Sequence, residues 1–355
     1  MQTLGDRGGR ALIDCDIHNA PTLEGLQAHL PDHWVDYTTH SGFRGPDASD
    51  YPPGLPLTAR PDFRGEGGGA PGSTLEQVRG HVLDAWELEH GVLTCNYQAS
   101  SVHNADLGSA LAAAVNTWQI EDWLQPEPRL RASVVVPSQD PVLAAAEIDR
   151  VGGVPGFVQV ILPVRSLVPY GNRRYDPIYE AAVRHGLAVA IHYGGAAGHP
   201  STPSGWPTSF VEEYAGMAAL FQSQVNSLIM EGAFDRFPGL RVALVEGGFT
   251  WMPSLMWRLD KEWKGLRSDT PWVRRRPSEY MREHIRLTVQ PWDAPGDPEP
   301  LGQIIGQMDS DEMLLFATDY PHGWFDSPGD AWPVRLDEAL TARIWSENAR
   351  AFYRL

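Results

Sequence analysis

The sequence predicts a (β/α)8 barrel, and three observations point there. Eight short β-rich runs recur along the chain, alternating with turns and helical stretches. Several of these runs are continuously apolar, as parallel strands covered by helices are. Polar residues able to bind a metal stand at the C-terminal ends of the first, fifth and eighth runs, and in a barrel those ends meet at one mouth.

Taken in order, the strand candidates are ALIDCDIH (11–18), GVLTCNYQ (91–98), ASVVVPSQ (132–139), GFVQVILP (156–163), LAVAIHYG (187–194), RVALVEGG (241–248), HIRLTVQP (284–291) and MLLFATDY (313–320). Helical patterns between them include 106–124, 140–151, 176–186, 253–266 and 337–355. Asp140 and Asp176 each precede a proline, the order of an N-cap followed by the first helical residue, and Gly186 ends its helix. An open, doubly wound sheet is the competing architecture. No G-x-G-x-x-G follows the first strand, which disfavours a dinucleotide fold. Residues 1–355 read as one domain of the α/β class. Residues 19–72, rich in Gly, Pro and Asp, form a long insertion. Its aromatics (Trp34, Tyr37, Phe43, Tyr51, Phe63) favour a cap over the mouth against a flexible linker. A second excursion, 195–210, is expected to line the same mouth.

The composition bounds the partners. With 42% hydrophobic residues, 355 residues can bury a large core. A formal net charge of −17 repels nucleic acid and anionic membranes, so neither is expected as a partner. No apolar run is long enough to cross a bilayer, and the N-terminus lacks the apolar stretch of a signal peptide. Two cysteines, Cys15 and Cys95, are too few for a disulfide framework, which fits a cytoplasmic enzyme.

Strand alternation puts Asp14, Asp16 and His18 on one face, with Cys15 and Ile17 toward the helices. Three polar groups aimed into a barrel need partners, and either a metal ion or a hydrogen-bonded Asp–His pair supplies them. On the fifth run, Ala188, Ala190 and His192 share the inner face, while Leu187, Val189 and Ile191 face the helices. On the eighth, Leu315, Ala317 and Asp319 point inward. Imidazoles and carboxylates together suit a borderline divalent ion, with Zn the first expectation and Mn or Fe the alternatives.

At this point the residues resemble the amidohydrolase superfamily, in particular its amidohydrolase-2 branch of hydrolases and non-oxidative decarboxylases. The resemblance runs from DCDIH (14–18) through YDPIYEAAVRHGLAVAIHYGG (175–195), FPGLRVALVEGGFTWMP (237–253) and LLFATDYPH (314–322) to ENARAFYRL (347–355). It implies a distorted barrel holding metal through Asp16, His18, His192 and Asp319. Family habit also implies a homo-oligomer such as a dimer.

Two departures stand out. The first strand carries Asp16-x-His18 where much of the superfamily has H-x-H, and no lysine ends strand four, so one metal is expected. Glu246 precedes Gly247-Gly248 where many relatives place a histidine. Its expected role is a general acid/base or an extra carboxylate near the metal, against a purely structural carboxylate. His322 is a candidate proton relay or substrate contact, and Arg165, Gln290 and Trp324 are candidate substrate contacts.

The resulting expectation is a mononuclear metal-dependent hydrolase. A metal-activated water attacks a small organic acid, lactone or amide while Asp319 accepts the proton. The first alternative is a non-oxidative decarboxylase of an aromatic or unsaturated acid on the same site, in which Asp319 protonates carbon. The second is a non-catalytic binding barrel.

Overall fold

The structure is a computed structural model that describes residues 9–46, 58–63, 70–195, 200–323 and 331–355. Its eight strands are β1 (Ile13–Ile17), β2 (His90–Leu93), β3 (Leu130–Val135), β4 (Phe157–Arg165), β5 (Ala188–Gly195), β6 (Val242–Val245), β7 (Ile285–Thr288) and β8 (Leu314–Leu315). They pair in sequence order and in parallel. Backbone bonds from Cys15 to Phe316 (2.9 Å) and from His18 to Tyr320 (2.8 Å) join the last strand to the first. The expected (β/α)8 barrel is therefore the observed one, with every strand shorter or shifted at its ends.

Side-chain parity explains why these runs close into a barrel. Ala188, Ala190, Ala243, Val245 and Leu315 share one buried cluster, the small and branched residues of the barrel interior. Leu187, Val189, Ile191, Leu314 and Phe316 belong to the larger layer between strands and helices. Phe352 and Tyr353, from the C-terminal helix Asn348–Tyr353, join the interior cluster, and the Tyr353 hydroxyl donates to Gln159 Oε1 at 2.9 Å.

The first strand breaks the expected alternation. Between Asp14 and Ile17 its register gains one residue on β2, since Asp14 pairs with Gly91 and Ile17 with Leu93. That bulge turns successive side chains to one side. Cys15 packs in the interior cluster rather than toward the helices, and Asp16 still reaches the mouth. Both cysteines are buried and free.

Local signals fare unevenly. Asp140 caps the helix Pro141–Val151 by accepting from the amides of Val142 and Leu143. Asp176 does not cap its helix; it lies inside the first turn and holds Arg236 at 2.8 and 3.1 Å. Gly186 ends that helix with φ +69°, a conformation that favours glycine. The helix Phe210–Met230 falls in a stretch the hydrophobic pattern left unassigned. Ser209 caps it, accepting from the amide of Glu212.

Within 19–72, helices span Leu23–Gln27 and Asp32–His40. Residues 58–60 run against 321–323, with Ala59 bridged to His322, the Arg60 amide on the Pro321 carbonyl and the Gly323 amide on that of Thr58. Residues 47–57 and 64–69 of this insertion, and 196–199 of the second excursion, lie outside the described residues. No helix among the described residues is long and apolar enough to cross a membrane.

Candidate metal centre

Strand ends bring the predicted residues to one place. Asp16 comes from β1 and His18 from the residue after it, His192 from β5, Glu246 from the residue after β6 and Asp319 from the segment after β8. His18 Nε2 lies 3.0 Å from Glu246 Oε1, 3.2 Å from Asp319 Oδ1 and 3.8 Å from Asp16 Oδ1. His192 Nε2 lies 3.6 Å from Asp16 Oδ1 and 3.7 Å from Glu246 Oε1. The His18 and His192 rings meet edge to face, with centroids 5.1 Å apart. His322 completes the group, its Nε2 3.9 Å from Asp319 Oδ1 and its ring 5.3 Å from that of His18.

The surroundings fix these side chains. The Thr94 hydroxyl at the end of β2 donates to Asp16 Oδ1. His192 Nδ1 sits 2.8 Å from the Tyr193 carbonyl, which makes it the N–H donor and turns the lone pair of Nε2 to the cluster. Asp14 is the brace between the first and last strands: its carboxylate accepts from the Asp16 amide (3.1 Å), the Thr318 amide (3.0 Å) and the Thr318 hydroxyl (2.6 Å). It therefore holds the backbone of Asp16 and of Thr318, the residue before Asp319, instead of joining the cluster. The Thr58 hydroxyl sits 2.6 Å from His322 Nδ1. Gly72 permits the close approach of the insertion, because a Cβ there would lie 2.3 Å from the His18 carbonyl oxygen.

Charge in the cluster is interdependent. Burial pushes the His18 imidazole down, but the Asp16 and Glu246 carboxylates outweigh it and raise it to about 9. His192 is raised as well, since Glu246 and Asp16 overcome its burial. Burial would raise Glu246, yet His192, Asp319 and His18 hold it well below the usual carboxylate range. Burial and the neighbouring His18 push His322 down to about 4. Burial lifts Asp14 to about 7 against the Thr318 hydrogen bond.

These donors fit a cation. Asp16 and His192 are 0% and 1% exposed, and Asp16 Oδ2 and His192 Nε2 have no hydrogen-bond partner among the described residues. Buried polar atoms left open this way cost about 1–3 kcal/mol each, so an ion that takes up their lone pairs is the economical partner.

The other candidates divide. Arg165 is buried at the end of β4, 3.5 Å from Glu213, and its stem lies where a Cβ on Gly195 would fall. It lines a cavity of about 230 Å³ together with His103, Gln139, Ser166 and Tyr175. A smaller cavity lined by Asn96, Tyr97 and Ile161 shares Pro163 with it, and Pro163 pairs in register with His192. Gln290 is committed to backbone, donating to the Ala331 carbonyl and accepting from the Trp292 amide, both at 3.0 Å. That arrangement uses both ends of the amide to brace loops. Trp324 lies outside the described residues.

Two residues near the cluster escaped the sequence reading. Thr94 was legible only as a polar residue in the second apolar run. Tyr214 sits on the unassigned helix; burial foremost, then Glu246 and Asp319, push its phenol well above its ordinary range. The Ser209-x-x-Glu212 pattern was the signal for that helix.

Comparison with known proteins bears on the reaction. A γ-resorcylate decarboxylase of Polaromonas sp. (strain JS666) is 25% identical over 303 residues, covering 79% of this chain and 88% of that protein. The γ-resorcylate decarboxylase of Rhodococcus jostii (strain RHA1) is 26% identical over 310 residues, with the same shares covered. A solved dihydroxybenzoic acid decarboxylase from Polaromonas sp. JS666, with bound manganese and the inhibitor 2-nitroresorcinol, has the same fold. Its TM-score is 0.68 at 21% identity, over 98% of this chain and 97% of that one. The expectation of a hydrolase is corrected by these relatives, which are decarboxylases. The physical reason is that one cluster of imidazoles and carboxylates serves either chemistry, so ligand types alone did not discriminate. Zinc likewise gains no specific support, since manganese is the metal in the solved relative. The sequence model of the amidohydrolase family, Amidohydro_2, matches residues 13–355, and the chain belongs to that family.

Proposed function

We propose that this protein is a divalent-metal-dependent decarboxylase that releases CO2 from a hydroxylated aromatic carboxylic acid of the dihydroxybenzoate kind. The observation that carries this reading is the run of decarboxylase relatives over 79% of the chain. The donor cluster at the barrel mouth supports it.

Asp16, His18, His192 and Asp319 would hold the ion. Three carboxylates in the cluster make a harder donor set than is usual for zinc, which favours Mn2+. When bound, the ion supplies a Lewis-acidic centre for substrate oxygens. Asp319 delivers a proton to the ring carbon that bears the carboxylate. The new C–H bond forms there as the C–C bond to the carboxylate breaks and CO2 leaves. His322, beside Asp319 and partly exposed, relays a solvent proton back to Asp319 for the next turnover. Arg165, in the cavity one strand away from His192, binds an anionic or hydroxyl group of the substrate.

The test is CO2 release. Protein reconstituted with Mn2+ is incubated with a panel of hydroxybenzoates, with and without a chelator. Release that needs the metal is the expected result. No release across the panel by protein carrying one equivalent of Mn2+ would sink the proposal.

A further inference from the structure

The donors at the mouth fall into two overlapping groups. Asp16, His18, His192 and Glu246 each bring one ligand atom within 4.8 Å of the others, and so do His18, Glu246, Asp319 and His322. His18 and Glu246 are the members common to both. From this overlap we infer that Glu246 is itself a direct ligand of the metal ion, a fifth protein donor, and not a general acid or base. The inference rests on the metal-site reading above and is independent of which reaction the site performs.

The distances favour it. An ion about 2.1 Å from each donor sets neighbouring donors about 3.0–3.4 Å apart in octahedral or tetrahedral geometry. Glu246 Oε1 lies 3.0 Å from His18 Nε2 and 3.7 Å from His192 Nε2. Asp16 Oδ1 lies 3.8 and 3.6 Å from the same two atoms. Glu246 is therefore as well placed as an expected ligand. Asp319, an expected ligand too, falls only in the second group.

The backbone is built for the same placement. Glu246 has φ +61° and Asp319 has φ +58°, a left-handed conformation that a residue with a side chain rarely adopts. Such strain costs about 1–3 kcal/mol; Glu87, Asp309 and Arg354 share it elsewhere, and only Glu246 and Asp319 carry it at the mouth, among the described residues. The Thr288 hydroxyl, at the end of β7, receives the Glu246 amide at 3.1 Å and secures that turn. The open atoms, Asp16 Oδ2 and His192 Nε2, are an independent sign of a missing shared partner.

The experiment uses Mn2+ alone as the probe, with no substrate. Affinity is measured by chelator competition for the intact protein and for Glu246→Gln, which keeps shape and removes the charge. Loss of affinity by more than about 100-fold in the variant is expected, beyond the 10- to 100-fold that removal of a merely supporting partner costs. Affinity within about threefold of the parent, in a variant whose circular dichroism matches it, overturns the inference. If Glu246→Gln fails to fold, crystals of the unaltered protein soaked in Mn2+ decide the matter. An anomalous peak within about 2.4 Å of a Glu246 carboxylate oxygen supports direct ligation, and a peak farther away overturns it. Protein that takes up no Mn2+ overturns both this inference and the metal site. Absence of CO2 release with Mn2+ bound through Glu246 overturns only the decarboxylase reading.

Discussion

Replacing Thr94 with valine removes one hydroxyl and keeps the branched shape of a fully buried side chain. That hydroxyl donates to Asp16 Oδ1, while Asp16 Oδ2 has no hydrogen-bond partner among the described residues. The variant therefore strips the carboxylate of the hydroxyl donor that β2 supplies. A hydrogen bond to a buried charged group contributes about 1.5–3 kcal/mol, an upper limit of about 12- to 150-fold in an equilibrium. The bond is made with or without metal, so part of that cost falls on the metal-free fold. What remains for affinity is the orientation of the carboxylate, worth about 10-fold, the low end of the effect of such supporting partners. Chelator competition with Mn2+ measures the first part, and urea unfolding of the metal-free protein measures the second, expected at about 1–2 kcal/mol. A variant that keeps Mn2+ affinity within twofold and unfolds at the same urea concentration would refute the reasoning.

Four further outcomes follow from the same geometry. Asp319→Asn is expected to lower kcat for CO2 release by about 10²–10⁴-fold with folding intact, as removal of a proton donor does; a fall of less than tenfold argues against that role. Arg165→Met is expected to raise KM about 10- to 100-fold with Mn2+ content unchanged, as loss of a charged hydrogen bond to substrate does. An unchanged KM assigns Arg165 a structural role, such as its pairing with Glu213. Glu127, tied first to Arg129 and then to Arg79, is held down at about 2. A depressed carboxylate stabilises fully above its unfolded value of about 4.5 and loses that effect as pH falls toward 2. Its two arginine partners are 33% and 38% exposed, so Glu127→Gln is expected to cost about 1–2 kcal/mol at pH 7. That gap should close between pH 4.5 and 2; a gap constant with pH contradicts the ion pair as its cause. Asp14→Ala, which removes the brace on Asp16 and Thr318, is expected to lower Mn2+ affinity about 10- to 100-fold, and unchanged affinity in a folded variant opposes it.

The strands and their mouth were legible because period-two apolar runs and polar strand ends survive folding unchanged. His192 and Asp319 arrive where their parity places them. The first strand did not obey, since the bulge between Asp14 and Ile17 depends on pairing with β2. Nothing in DCDIH marks it, so Asp14 was grouped with Asp16 although it faces Thr318. The left-handed backbone of Glu246 is equally silent in sequence, apart from the two glycines that follow. The helix Phe210–Met230 went unassigned for another reason: its apolar residues are spread around it, so a 3.6-residue stripe is weak. Tyr214 was lost with it. The reaction itself was the least legible part. A cluster of imidazoles and carboxylates offers donors to an ion, while the choice between attack by water and loss of CO2 depends on how the substrate lies in the pocket.

The most direct test of the account follows the fate of the carbon that Asp319 is assigned to protonate. A hydroxybenzoate is incubated with the Mn2+-loaded protein in D2O, and the product is read by NMR. The account predicts release of one CO2 per product, with a single deuterium on the ring carbon that carried the carboxylate. Recovery of the substrate unchanged, or a product that retains its carboxylate, would contradict it.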